Sequence, residues 1–190
     1  IYEHILYDHH LHIPMATVPG MYDRTISISG LSKTFSVTGW KIGWAVGPAH
    51  LIAGVRAAHQ FLTYAVSTPM QHAAAAAIER GDAYIADLVA DYARKRDLLA
   101  AGLAALGFEV LTPSGTYFIM ADHRRVSERL GLTTDVELCR HMAMRVGVAA
   151  IPPSAFYASP ADGAHLVRFA FCKRDDTLDE ALRRLRSALA

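Results

Sequence analysis

The chain has 190 residues, of which 52% are hydrophobic and 19% are charged, which is the composition of a folded globular protein rather than a disordered one. Its 19 lysines and arginines nearly balance its 18 aspartates and glutamates. The resulting net charge of +1 provides no electrostatic basis for nucleic acid or an anionic membrane as the main partner. No apolar run is long enough to cross a bilayer.

The two cysteines, Cys139 and Cys172, lie far apart and form no C-x-x-C pair. We therefore expect neither a disulfide scaffold nor a zinc knuckle, and a reducing cytoplasm is the expected location. The chain opens at Ile1 with neither an initiator methionine nor a basic stretch. From this start we expect that further sequence precedes Ile1.

The first third of the chain predicts two strands and a helix. Residues 25–29 alternate in polarity and are rich in β-branched side chains, which is typical of a strand that Gly30 then ends. Residues 39–48 predict a second strand closed by a turn, and Ala49–Leu62 predicts a helix.

A long helical pattern covers residues 69–106, with leucine and tyrosine side chains at helical intervals. Gly81 interrupts the pattern and predicts a bend or a break, and Gly107 occupies the position at which helices commonly end. A helix of this length usually bridges two domains or packs along both. We therefore divide the chain into residues 1–68, a connecting helical segment 69–107, and residues 108–190.

From residue 108 onward, short strands alternate with helices. Strands are predicted at residues 109–111, 117–120, 148–151 and 166–171. A capping box from Thr134 to Glu137 opens a helix that stops at Gly147, and a second one from Thr177 to Glu180 opens the last helix. Four leucines form the predicted buried stripe of that last helix: Leu178, Leu182, Leu185 and Leu189. The alternation indicates a layered α/β architecture.

Residues 29–44 carry the most informative chemistry. Lys33 follows the first strand in a loop of small hydroxyl residues and glycines. An amine held among apolar aromatic side chains has its charged form disfavoured, which favours a nucleophile. A second lysine, Lys41, follows eight residues later, and Gly39 and Gly43 permit close backbone approach. A neutral lysine could react with the aldehyde of an aldehyde-phosphate cofactor, and a charged lysine could bind its phosphate. Spacing alone, however, favours a surface loop with two solvated lysines.

The same stretch, S-G-L-S-K-T-F-S-V-T-G-W-K-I-G-W, resembles the pyridoxal-phosphate attachment site of class I/II aminotransferases of fold type I almost residue for residue. The resemblance implies that Lys33 forms a Schiff base with pyridoxal 5′-phosphate and later acts as general acid and base. It implies that Lys41 contacts the phosphate, where the family more often has arginine. Gly30 is a cofactor-binding position where the family often has serine, so one phosphate-binding hydroxyl is missing.

A second candidate is Arg168, an arginine within an apolar strand. A buried arginine is costly unless a carboxylate pairs with it. One interpretation is a structural salt bridge with an acidic side chain of the core, and the other is a bidentate clamp on the α-carboxylate of a substrate. The family's carboxylate-binding arginine lies in a similar strand near the C-terminus, so the resemblance favours substrate binding.

The third candidate is Tyr2. Residues 1–4, I-Y-E-H, resemble the end of the family's D-E-x-Y motif, whose tyrosine bonds the phenolic oxygen of the cofactor. The resemblance assigns that role to Tyr2, and an interface tyrosine is the alternative. The aspartate of the motif, which holds the pyridinium proton, would lie three positions before Tyr2 and outside this chain.

Weaker similarities occur elsewhere. Residues 59–64 and 67–71 resemble the family's segment near the dimer interface, in a branch that includes kynurenine- and methionine-type aminotransferases, although a helix end and a loop explain them too. Residues 115–118 and 153–157 resemble segments of the small domain. Four histidines cluster near the start: His4, His9, His10 and His12. No carboxylate or thiol spacing accompanies them, so we predict a solvated loop and no metal site.

The resemblance covers the chain from Tyr2 to the last helix, whereas family members are roughly twice as long. It implies part of an α/β, fold-type-I pyridoxal-phosphate-dependent transferase. Residues 1–68 would be the C-terminal part of the large cofactor-binding domain, with its mainly parallel sheet. Residues 69–107 would be the connecting segment, and residues 108–190 the small C-terminal domain.

The implied activity moves an amino group between an L-amino acid and a 2-oxo acid, in a cytoplasmic homodimer that binds neither nucleic acid nor membranes. Two alternatives stay open from the sequence. A carbon–sulfur β-lyase of the same fold type would share the lysine and the arginine. A catalytically incomplete fragment would keep the fold but lack the partner of the cofactor ring.

Overall fold

The computed structural model describes residues 1–189 and consists of two compact units, the first being Ile1–Val89 and the second beginning at Ala90. The boundary between the units falls inside a long helix. The division of the chain at residues 68 and 107 stays a prediction.

The first unit combines two strands with helices. The elements are β1 (Ser27–Gly30), α1 (Leu31–Thr34), β2 (Gly43–Val46), α2 (Ala49–Leu62), α3 (Thr68–Arg80) and the beginning of α4 (Asp82–Ala105). The predicted helix at Ala49–Leu62 is confirmed, and so is the break at Gly81. A Cβ at Gly81 would lie 2.5 Å from the carbonyl oxygen of Ala77 and 2.7 Å from a ring carbon of Phe35, so only glycine fits between the two helices without a shift.

The strand predicted at residues 39–48 is shorter in the structure. Thr38–Trp40 forms a 3₁₀ turn and Lys41 has left-handed backbone angles, so β2 begins only at Gly43. β1 and β2 pair antiparallel, with Gly30 opposite Gly43. Within residues 1–189 the named strands pair only antiparallel, and the mainly parallel sheet expected of the large domain is not formed by these strands.

A small apolar cluster holds the first unit together. Its buried members are Leu31 of α1, Ile42 before β2 and Ala74 of α3. Partly buried side chains pack around them: Phe35, Val37, Trp44, Val66, Met70 and Ala77. Since Leu31 and Ala74 belong to the same cluster, the turn that carries Lys33 is packed against α3.

The second unit is a three-stranded antiparallel sheet with helices. Its strands are β3 (Glu109–Leu111), β4 (Phe118–Asp122) and β5 (Leu166–Ala170), in the order β3-β4-β5. Its helices, after the remainder of α4, are α5 (Arg124–Leu130), α6 (Asp135–His141) and α7 (Asp175–Leu189). In the β4–β5 register, Met120 lies opposite Arg168.

The predicted capping box of α6 is confirmed. The hydroxyl of Thr134 accepts a hydrogen bond from the Glu137 N–H, and the Glu137 carboxylate accepts one from the Thr134 N–H. A π-helical turn, Met142–Val146, continues α6 as far as Gly147, whose φ of 74° ends the helix as predicted. The predicted leucine stripe of α7 is also buried, as expected for an amphipathic helix.

Two sequence predictions in this unit are wrong, and one helix was not predicted. Residues 148–151 form no strand but only a single bridge from Ile151 to Arg168, because two prolines, which cannot donate to a ladder, follow at once. α7 begins at Asp175 rather than at a Thr177 cap, and Glu180 pairs with two arginines of its own helix. α5 was not predicted, because it is short and mostly polar.

Candidate active site

Lys33 lies on α1, a single helical turn that directly follows β1, and its side chain is half-buried. Its neighbours Leu31 and Thr34 on the same turn are buried. The Leu31 N–H donates to the carbonyl oxygen of Ile42 at 3.3 Å, and the Phe35 N–H donates to that of Leu31 at 3.0 Å. The backbone on both sides of Lys33 is therefore fixed, which suits an amine that must be held in one position.

Lys41 is exposed and has left-handed backbone angles, with φ 56° and ψ 38°. Ser36 in the same loop has a φ of 55°. The Thr38 hydroxyl donates to the carbonyl oxygen of Ser32 at 3.0 Å and thereby ties the loop to α1. A left-handed residue other than glycine costs about 1 kcal/mol, and such strain clusters at functional sites.

Tyr2 is half-buried, and its carbonyl oxygen accepts the N–H of Ile5 at 2.9 Å. The next residue, Glu3, accepts a hydrogen bond from the hydroxyl of Ser29 on β1. Burial acts to raise the pKa of Glu3, but the hydrogen bonds from Ser29 and the backbone, together with the amino group of Ile1, lower it. The segment with Tyr2 is thus linked to the strand that leads to Lys33. Sequence reasoning missed this link, because the paired residues are 26 positions apart.

Gly30 is buried at the end of β1, where the two strands approach closely. A Cβ at this position would lie 2.9 Å from the carbonyl oxygen of Ile42 and 3.2 Å from the Cα of Gly43. Gly30 also lines a small cavity of about 100 Å³ in the first unit. No larger residue fits at position 30 unless the strands move apart, so this position contributes backbone only.

Arg168 is half-buried on β5, and two aromatic rings lie against its guanidinium. Its guanidinium carbon is 4.9 Å from the centroid of Phe118 and 5.1 Å from that of Phe156. Its backbone N–H and carbonyl oxygen each bond Ile151 at 3.0 Å. No acidic side chain of residues 1–189 forms an ion pair with Arg168, so the structural salt bridge considered from the sequence is not found in this part of the chain. The guanidinium donors are suited to an anionic ligand.

Cys139 lies in the core of the second unit and not at either candidate site. Burial and the neighbouring Asp135 carboxylate raise the pKa of its thiol to about 12. The thiolate is the reactive form of cysteine, so this residue is unsuited to nucleophilic catalysis.

Among the described residues, no group of three or more His, Cys, Asp and Glu side chains is arranged to hold a metal ion. The ring nitrogen Nδ1 of His10 lies 3.0 Å from the carbonyl oxygen of Tyr7. Over residues 1–189, we also find no helix with the length and apolar character needed to span a membrane.

Known proteins resemble the chain along nearly its whole length. Residues 1–185 match the family described as "Aminotransferase class I and II". The chain is 52% identical over 194 residues to "Probable N-succinyldiaminopimelate aminotransferase DapC" of Mycobacterium tuberculosis, covering 97% of this chain and 48% of that protein. It is 39% identical to "Kynurenine--oxoglutarate transaminase" of Dictyostelium discoideum, covering 95% of this chain and 45% of that protein.

A solved structure of N-succinyldiaminopimelate aminotransferase from Mycobacterium tuberculosis superimposes with a TM-score of 0.90 at 53% identity, covering 100% of this chain and 48% of that one. The chain thus spans about half the length of the curated relatives it matches. By its matched residues, its identity to these relatives and its superposition, the chain belongs to the class I and II aminotransferases and has the α/β fold of fold-type-I pyridoxal-phosphate-dependent transferases.

Proposed function

We propose that the protein containing this chain is a pyridoxal-phosphate-dependent aminotransferase that moves an amino group between an L-amino acid and a 2-oxo acid. The observation that carries the proposal is Lys33, half-buried on a turn whose backbone is fixed by the buried neighbours Leu31 and Thr34. Membership of the class I and II aminotransferases supports the same conclusion.

The residues of the first unit fit pyridoxal phosphate. When bound, this cofactor supplies an aldehyde for an amine and a ring that withdraws electrons from the α-carbon of the substrate. Lys33 would present the amine, and the exposed Lys41 would balance the charge of the phosphate. The hydroxyl of Tyr2 would donate to the phenolic oxygen, and Gly30 would allow the backbone to come close.

Lys33 would also transfer a proton during the reaction. With substrate bound, the amine of Lys33 would take the proton from the α-carbon of the amino acid as a general base and would then donate it as a general acid. The fixed backbone of α1 limits the positions that the amine can reach, which favours transfer between two nearby carbons.

Arg168 would bind the α-carboxylate of the amino acid. Its planar fork of N–H donors matches the two oxygens of a carboxylate. The rings of Phe118 and Phe156 lie against the guanidinium and restrict its rotation. Since no acidic side chain of residues 1–189 occupies these donors as an ion pair, the substrate carboxylate would supply the missing charge.

The names of the relatives suggest which amino-group donors to test. N-succinyldiaminopimelate is the first to test, because the Mycobacterium tuberculosis relative named for it is 52% identical to this chain. Kynurenine is the second, since the Dictyostelium discoideum relative named for it is 39% identical. Methionine is the third, since a relative from Escherichia coli named methionine aminotransferase is 38% identical.

The test uses the complete protein that contains this chain, loaded with pyridoxal phosphate. Each amino-group donor is incubated with 2-oxoglutarate, and glutamate formation is measured. Borohydride reduction should fix the cofactor permanently to its lysine. Peptide mapping should then locate the modification at Lys33. Lys33→Ala should abolish both signals, whereas Lys173→Ala, at an exposed lysine, should not. An S-alkylcysteine is incubated separately without any oxo acid: its repeated turnover to pyruvate, ammonia and a thiol would contradict the proposal and identify a carbon–sulfur β-lyase.

We also propose a cytoplasmic homodimer. Phe61 and Leu62 at the end of α2 are 85% and 84% exposed, and Tyr64 just beyond is 81% exposed. An exposed apolar group of this kind is typical of an interaction surface. The two free cysteines, Cys139 and Cys172, suit a reducing compartment. Light scattering on the complete protein checks the assembly, and a monomer at micromolar concentration would contradict it.

A further inference from the structure

Asp135 is a buried carboxylate, only 1% exposed, at the first position of α6. One of its oxygens, Oδ1, accepts the N–H of Val136 at 2.9 Å. The other, Oδ2, accepts the N–H of Ser154 at 2.8 Å, across 19 positions of the chain. Burying a carboxylate is costly unless hydrogen bonds compensate, so both oxygens have a structural use.

The buried carboxylate of Asp135 does more than cap α6. Thr134 and Glu137 already form a complete capping box at this helix end. The N–H of Asp135 donates to the carbonyl oxygen of Ala164 at 3.2 Å, which fixes the backbone from which the carboxylate extends. The bond from Oδ2 to Ser154 therefore serves the segment that contains Ser154.

Ser154 belongs to a 3₁₀ turn, Pro153–Phe156, whose first residue, Pro153, is buried and whose last residue, Phe156, is exposed. The bond from the Tyr157 N–H to the Ser154 carbonyl oxygen is long, at 3.4 Å. Phe156 is 67% exposed, so burial contributes little to fixing its ring. A short turn with an exposed side chain is mobile unless something ties it down.

The turn is confined from its other side by a glycine. A Cβ at Gly163 would lie 3.0 Å from the Cα of Ser154 and 2.6 Å from a ring carbon of Tyr157. Ser154 is therefore confined between the Asp135 carboxylate, which binds its N–H, and the backbone of Gly163. Two residues further on, the Phe156 ring lies 5.1 Å from the guanidinium carbon of Arg168.

We propose that Asp135 is a positioning residue for carboxylate binding: it ties down the turn at Ser154, the turn places Phe156, and the Phe156 ring orients the guanidinium of Arg168. The identity of the ligand rests on the proposed function, whereas the positioning is a property of the second unit.

The variants separate this chain of contacts from general damage. Asp135→Asn keeps the size of the side chain but replaces the charged carboxylate with an uncharged amide, so the Ser154 N–H either loses its acceptor or keeps only a weaker one. Phe156→Leu removes the aromatic ring but leaves the hydrogen bond from the Ser154 N–H to the Asp135 carboxylate intact. Thr134→Ala is the matched control, because it weakens the cap of the same helix and removes no contact with Ser154.

The first measurement is hydrogen exchange in the complete, cofactor-loaded protein. Asp135→Asn should speed the exchange of the Ser154 amide about tenfold or more relative to the unchanged protein, because an unmet buried donor favours opening of the turn. Thr134→Ala should leave that amide unchanged. Equal exchange at Ser154 in Asp135→Asn and the unchanged protein would overturn the proposal, and this result does not depend on any ligand.

The second measurement is the equilibrium binding of 3-phenylpropionate, a carboxylate without an amino group. Asp135→Asn and Phe156→Leu should each raise its dissociation constant about fivefold, and the double variant should be no weaker than Phe156→Leu alone. Additive losses would overturn the proposed order of contacts. If Arg168→Ala binds the probe as well as the unchanged protein does, Arg168 does not bind the carboxylate and that part of the proposed function is wrong. The exchange measurement still tests whether Asp135 holds the turn at Ser154.

Discussion

The guanidinium carbon of Arg168 on β5 lies 4.9 Å from the ring centroid of Phe118 on β4. The register places Met120 directly opposite Arg168, so Phe118 is its diagonal neighbour on the same face of the sheet. Long side chains reach across such a diagonal, and an aromatic face near a cation contributes about 0.5–1 kcal/mol at an exposed site. The strand pairing therefore brings an aromatic partner to the candidate carboxylate-binding arginine.

Arg168→Lys tests that arginine with its charge preserved. The lysine ammonium cannot form two parallel hydrogen bonds to a carboxylate, so we expect the KM for the amino acid to rise about 10- to 100-fold, with a smaller change in kcat. Steady-state kinetics on the complete protein measures both constants. Arg186→Lys, at an exposed position of α7, serves as control and should change neither. An unaltered KM in Arg168→Lys would contradict the assigned role.

Lys33→Ala removes both the amine that reacts with the cofactor and the base that moves the proton. We expect the transamination rate to fall by at least about 10³-fold, since acid–base catalysis alone contributes a factor of this size. The absorbance band of the lysine-bound cofactor should disappear as well. Because Lys33 is only half-buried, the thermal midpoint of the cofactor-free protein should change little. Retention of the band would assign the cofactor to another lysine.

Lys41 combines a charge with left-handed backbone angles, and two substitutions separate these properties. Both Lys41→Ala and Lys41→Gly remove the ammonium group and should weaken pyridoxal phosphate binding to the same extent. Lys41→Gly should be more stable than Lys41→Ala by about 1 kcal/mol, because glycine adopts this conformation without strain. Urea unfolding of the cofactor-free protein measures the difference, and equal stabilities would show that the backbone angles carry no cost.

Gly102 of α4 packs against Leu182 of α7 with no room for a methyl group. A Cβ at Gly102 would lie 2.4 Å from a terminal methyl carbon of Leu182, which is itself buried. Overpacking costs about 1–3 kcal/mol and the better helix propensity of alanine returns about 1, so Gly102→Ala should lower the free energy of unfolding by about 1 kcal/mol. Gly54→Ala, on an open face of α2 with no atom within 4 Å, should instead raise it by about 0.5 kcal/mol. Urea denaturation of both variants measures whether the free energy of unfolding falls in the first and rises in the second.

Cys139 should make the protein less stable at alkaline pH. Its thiol has a pKa of about 12 in the folded state, against 9.0 ordinarily, since burial disfavours the thiolate. Above pH 9 the unfolded chain loses this proton while the folded chain keeps it, so the free energy of unfolding falls as the pH rises from 9 toward 12. Cys139→Ala should remove this part of the decline. A second check is iodoacetamide labelling at pH 8, which should modify Cys139 only after unfolding.

Local signals in the sequence were sufficient for many elements. The Thr134–Glu137 capping box, the glycine end at Gly147 and the leucine stripe of α7 all depend on residues within a few positions of each other. The predictions that failed depended on more than the segment itself. Residues 148–151 look like a strand by their apolar composition, but the prolines that follow allow only one bridge to β5.

The same division applies to the candidate site. Lys33 and Lys41 were proposed from one contiguous stretch, residues 29–44, and Tyr2 from a second, residues 1–4, and in both the resemblance to the family gave the roles. The residues around Arg168 came from three separate parts of the chain, Phe118, Phe156 and Asp135, and no spacing in the sequence connects them. Only strand register and the packing of turns bring such residues together.

For this chain of 190 residues with a net charge of +1, composition and periodicity by themselves indicated a folded α/β protein, and the resemblance of the lysine motif indicated the class I and II aminotransferases, since periodicity and motifs are local properties of the sequence. Tertiary structure alone decided that Arg168 lies between two aromatic rings and that no carboxylate of residues 1–189 pairs with it. It also decided that Ser154 is tied to Asp135. The reason is physical: hydrogen bonds and ring contacts between distant segments depend on how the chain packs, and a linear pattern does not record packing.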